Sequence, residues 1–73
     1  MITSDAGPAV DAALLKLAQR IREEFEEAPG LRITVIEASR FWGLDEETCG
    51  RVLARLFATS FLRQSLDGRY GRA

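Results

Sequence analysis

Arg51 and Arg55 stand four residues apart, and Arg63, Arg69 and Arg72 follow before the chain ends. Guanidinium groups do one kind of chemistry: they present planar forks of donors to carboxylates, phosphates and other oxyanions. Glu47 and Thr48 precede Arg51, Gln64 follows Arg63, and Arg32, Thr34 and Arg40 lie upstream. Nothing comparable equips the chain for making or breaking bonds. It has no histidine, a single cysteine (Cys49) and no glycine-rich phosphate loop, and its carboxylates read as surface charges. One thiolate with carboxylates alone is a poor zinc set, and one cysteine forms no internal disulfide. The reading is therefore of a non-enzyme that needs no cofactor, with Cys49 as a small core residue.

The net charge over 73 residues is −1, so the chain lacks the strongly basic balance of many polyanion binders. Its distribution is uneven. Residues 1–30 hold three basic and six acidic side chains, or −3, whereas residues 51–73 hold five arginines against Asp67 alone, or +4. Such asymmetry points to a partner for the basic end, although two solvated faces would look the same. Nine of the ten cations are arginine, which suits bidentate contacts but also follows from genome composition alone. With 47% hydrophobic and 29% charged residues, a globular domain is expected. No apolar run approaches the roughly 18 residues of a membrane span. The opening "MITSDAGPAV" carries no export signal, so the expected location is the cytoplasm, away from membranes.

Positioning these side chains falls to a few short elements. Val10, Leu14, Leu17, Ala18, Ile21, Phe25 and Ala28 recur at steps of three and four, which predicts a first helix over about 8–28. It begins near Gly7–Pro8 and is stopped by Pro29–Gly30. Leu15 falls off this stripe and marks either a second contact face or, as slightly preferred, a harmless exposed leucine. "LRIT", Leu31–Thr34, reads as a brief strand. Thr34 with Glu37 three residues on is a capping box and opens a second helix over about 35–42. Gly43 is its left-handed stop, and Leu44 is an apolar plug. Asp45 then caps a third helix over about 46–58, with Glu46 and Glu47 favoured by the helix dipole. Its core face is predicted as Cys49, Val52, Leu53, Leu56 and Phe57, leaving Glu47, Gly50, Arg51, Ala54, Arg55 and Ala58 opposite. The adjacent Phe41 and Trp42 cannot share one narrow stripe: either one is core and the other partly exposed as a dimer or partner surface, or, as is preferred in so small a domain, both tuck under helix one or the wing. A hairpin occupies about 61–72, with Asp67–Gly68 at its turn. A two-residue turn pairs Arg63 with Arg72. A three-residue loop, Leu66–Gly68, pairs Gln64 with Tyr70, and it is preferred because Leu62 and Tyr70 then share a core-facing side.

In this order "ITVIEASRFWGLDEETCGRVLARLFATSFLRQSLDGRY" resembles the winged helix-turn-helix family, of the small bacterial transcriptional-regulator type. The resemblance spans nearly the whole chain: a threonine cap, Glu-Ala followed by a small residue, Gly-Leu at the turn, a capped recognition helix, Phe-Leu entering the wing and Asp-Gly-Arg-Tyr at its tip. The fold class it implies is α+β, mainly α: a three-helix winged helix-turn-helix in one domain, 1–73, with a C-terminal two-stranded β-wing and a short strand near Leu31–Thr34.

The implied function is binding of double-stranded DNA, with helix three in the major groove and the wing on the backbone. Arg51 and Arg55 would read guanine or touch phosphate, with Thr48 and Glu47 beside them; alternatively, Arg51 simply pairs with Glu47. Arg32, Thr34 and Arg40 would meet phosphate around helix two, and Arg63, Gln64, Arg69 and Arg72 would do so from the wing. Gly50, Ala54 and Ala58 would admit a DNA backbone, or else pack helix one or a second subunit. Near-neutral charge and the pair Glu46–Glu47 favour a rival, a protein-interaction or oligomerisation module of the same fold. A homodimer or partner protein belongs to that rival; no small-molecule ligand is expected.

Overall fold

A computed structural model of the chain describes residues 8–73, with side chains from residue 12 onward. The order is α1 (Pro8–Glu27), β1 (Arg32–Ile33), α2 (Val35–Trp42), α3 (Glu46–Ala58), β2 (Leu62–Gln64) and β3 (Tyr70–Arg72). The class is α+β and mainly α, with a wing-like hairpin at the C-terminus. The expected start at Gly7 and the side chain of Val10 lie outside the described residues.

The α1 stripe buries Ala18, Ile21 and Phe25 and half-buries Leu14 and Leu17. Ala28, placed on that stripe by its spacing, is exposed, because the helix has ended at Glu27 and the chain turns through Pro29–Gly30. Leu15 is exposed, and Arg22 pairs with Glu26 at 3.5 Å along the solvent side.

The α2–α3 corner forms as its sequence dictates. The Thr34 hydroxyl accepts from the Glu37 N–H at 3.1 Å, and the Glu37 carboxylate accepts from the Thr34 N–H at 3.0 Å. Gly43 takes φ 67°, which a glycine adopts without a Cβ penalty, and the N–H groups of Gly43 and Leu44 both reach the Ser39 carbonyl. The Asp45 carboxylate then accepts from the Thr48 N–H at 2.9 Å and starts α3. Cys49, Val52, Leu53 and Leu56 enter the core from that helix.

Phe57 does not join them. Its ring is about half exposed, at 49%, and lies edge-on to Tyr70 at 6.4 Å between centroids. Its core assignment is corrected: Val52, Leu53 and Leu56 already fill the face toward α1, and Phe57 sits at that face's margin. The expectation that both aromatics tuck under neighbouring elements is corrected: Phe41 is 63% exposed while Trp42 packs against Phe25 at 6.0 Å, since adjacent helical positions point about 100° apart.

Residues 65 and 69 close the hairpin, leaving the three-residue loop Leu66–Gly68, with Gly68 at φ 86°. Gln64 pairs with Tyr70, and Leu62 and Tyr70 are both buried. β3 is the central strand, pairing β2 on one side and β1 on the other, so Leu31–Thr34 contributes an edge to a three-stranded antiparallel sheet. Gly71 is needed there: a Cβ at that position would lie 3.1 Å from the Leu31 carbonyl oxygen and 3.4 Å from Arg32 Cγ.

Gly50 faces neither α1 nor an open groove. A Cβ built on it would meet Val35 Cγ1 of α2 at 3.8 Å, an ordinary contact. Gly50→Ala is therefore expected to stabilise the domain by about 0.8–1 kcal/mol through helix propensity. Chemical denaturation of the two proteins checks this; a destabilised variant would mean that the α2–α3 contact is tighter than it looks. No helix among the described residues is long and apolar enough to cross a membrane.

Candidate nucleic-acid interface

α3 carries Arg51 and Arg55 on its solvent side, because the opposite face is buried at Cys49, Val52, Leu53 and Leu56. The two arginines differ in their surroundings. Arg51 Nη2 donates to Glu47 Oε2 at 2.8 Å, so this cation is already paired one turn back. Arg55 is exposed and makes no ion pair among the described residues. Thr48 is tied inward: its hydroxyl donates to Asp45 Oδ1 at 2.7 Å. Arg40 is exposed on the last turn of α2, also without an ion pair among the described residues. Thr34 is half-buried, with its oxygen accepting within the capping box.

The sheet gathers the other cations. Arg32, Arg63, Arg69 and Arg72 line one concavity of about 510 Å³ with Ser65 and Gly71. Arg69 is held by two acids, Asp67 at 3.2 Å and Glu37 at 3.8 Å. The second contact ties the hairpin to the start of α2, a link that no local pattern signals. Arg72 lies over the Phe61 ring at 4.7 Å, and Arg22 of α1 lies over the same ring at 4.6 Å. Gln64 is exposed on the outer strand β2. Sequence reasoning missed both the capture of Arg69 by Glu37 and the recruitment of Arg22 to Phe61. Each joins elements far apart in the chain.

The two helix caps set the local titration. The backbone N–H of Thr34 holds the Glu37 carboxyl below its ordinary 4.5, with help from the Arg69 charge. Bonds from the Thr48 N–H and hydroxyl hold the Asp45 carboxyl below 3.8. The Ser65 hydroxyl lowers Asp67 in the same direction. Burial pushes the Cys49 thiol up, which removes thiolate reactivity at neutral pH. Groups with depressed values in the folded state contribute stability above their unfolded values and lose it as pH falls through the folded ones. The melting temperature should therefore fall as pH drops from about 5 toward 2. The double variant Asp45→Asn/Glu37→Gln should show a shallower fall, read from thermal melts across that range; an unchanged slope would refute the assignment to the caps.

No group of three histidine, cysteine, aspartate or glutamate side chains that could hold a metal occurs among the described residues. The Trp42 Nε1–H is covered and has no acceptor among the described residues, a loss of about 1–3 kcal/mol.

No family model, curated protein or solved structure matches the chain. The functional reading therefore rests on the geometry of its own residues. Among the described residues, that geometry comprises a helix face with one paired and one unpaired arginine and, separately, a concave sheet face lined by four more.

Proposed function

We propose that this domain is a DNA-binding winged helix-turn-helix module, a small transcriptional regulator that lays α3 in the major groove and the hairpin against the backbone. The observation that carries the reading is the solvent face of α3, where Arg55 stands one turn beyond Arg51 with no ion pair among the described residues. Arg55 takes guanine or phosphate; Arg51 does so after exchanging Glu47 for the nucleic acid. Thr48 and Asp45 serve this helix as its cap, so they orient the reading surface without touching bases. Arg32, Arg63 and Arg72 supply sequence-independent attraction, and Arg40 and Gln64 add flanking contacts.

Salt dependence tests the proposal. With about four phosphates neutralised, log K should fall against log salt with a slope of about −3.6, or roughly 150-fold between 50 and 200 mM. Fluorescence anisotropy on a random duplex measures it. An affinity that is absent at 50 mM, or indifferent to salt, refutes DNA binding.

A protein-interaction role is the second reading. It is favoured by Phe41 and Ile36, which are 63% and 51% exposed on α2, and by the acidic Glu46–Glu47 step at the start of α3. Domains that fail the salt test but self-associate or bind a protein through α2 would fit it.

A further inference from the structure

Arg32 and Arg63 are both cross-strand partners of Gly71, one from each side, so the three residues form a single row across the sheet. Two strand spacings put the arginine backbones roughly 9–10 Å apart. Gly71 contributes no side chain between them, and its row faces away from the core, since the next row holds buried Ile33 and Tyr70. The result is a cationic pair flanking Gly71, with the Arg32 stem leaning close over it; Arg72, in the next row with buried Leu62, carries its guanidinium on Phe61 instead. Like charges held on one sheet face destabilise it unless an anion lies between them. No aspartate or glutamate lines this concavity, and Arg32, Arg63 and Arg72 make no ion pair among the described residues. Arg69 lines the concavity too but is neutralised by Asp67 and Glu37, and the Ser65 hydroxyl is bound to Asp67. At about 510 Å³ the space matches a small-ligand site.

We propose that this outer sheet face is a phosphate-binding site, in which Arg32 and Arg63 grip a phosphate group over Gly71. Two guanidinium groups without an ion pair among the described residues favour a multiply charged phosphate over a single carboxylate, because each additional negative charge finds its own donor fork. The phosphate comes from a nucleotide or from a nucleic-acid backbone. The site uses no residue of α3, so it stands whether or not α3 enters a groove.

Titration with inorganic pyrophosphate, followed by amide chemical shifts, tests it. Saturable shifts are expected at Arg32, Arg63 and Gly71, with at least tenfold weaker binding in Arg32→Ala/Arg63→Ala. Both side chains are exposed, so unchanged shifts elsewhere report that the variant is folded. Arg51→Ala/Arg55→Ala should bind pyrophosphate as the wild type does, even if duplex binding proves absent, which separates this site from the DNA reading. A nucleoside triphosphate that outcompetes pyrophosphate identifies a small-molecule source; duplex DNA that displaces it identifies a backbone source. Shifts that do not saturate, or that persist equally in Arg32→Ala/Arg63→Ala, overturn the proposal.

Discussion

Phe25→Ala is expected to remove about 3–5 kcal/mol of stability, most of what a chain of this size possesses. The ring is fully buried and stacks at a tilt on Trp42, at the point where α1 covers the corner between α2 and α3. Truncation removes its apolar burial and leaves a cavity that a short, well-packed core refills only in part. At about 4–8 °C per kcal/mol, the melting temperature should fall by at least 12 °C. Phe57→Ala is the control. Its ring is half exposed and contacts Tyr70 edge-on, so its loss should cost only about 1 kcal/mol. Thermal and denaturant unfolding of the two variants decide the matter. Equal destabilisation would show that Phe57 belongs to the core after all.

Arg55→Ala should weaken binding to a DNA site selected from a random library by about 1–3 kcal/mol, or roughly 5- to 150-fold. Arg51→Ala should cost less, because the wild-type Arg51 must first give up its 2.8 Å contact with Glu47. Glu47→Gln should act in the opposite direction, tightening binding several-fold: it frees Arg51 and removes a carboxylate that repels phosphate. This ordering is diagnostic. A merely structural role for the three side chains predicts no gain from Glu47→Gln, since all three are solvent-exposed. Anisotropy titrations of the four proteins at one salt concentration give the ranking, and an Arg55→Ala variant that binds as tightly as wild type would remove α3 from the proposed interface.

Much of this architecture was legible in the residues alone. Thr34 with Glu37, Gly43 and Asp45 act over three or four residues through their own backbone, so both caps and the turn form wherever the chain goes. Alternation between Leu62 and Tyr70 fixed the hairpin register for a similar reason: shifting it by one residue exposes an apolar side chain. The periodicity of α3 likewise settled that Arg51 and Arg55 face solvent. The same periodicity misplaced Phe57, because an apolar stripe does not record how wide a face the neighbouring helix covers.

Tertiary structure alone decided the rest. The position of β3 between β1 and β2 brings Arg32 beside Arg63 across Gly71, although 31 positions separate the two in sequence. Glu37 reaches Arg69, and Arg22 and Arg72 share Phe61, only because the hairpin folds back on the helices. Local spacing encodes caps, turns and faces, since those depend on bonds within one or two turns of chain. Which distant cations are neutralised and which are left bare depends on where the sheet closes.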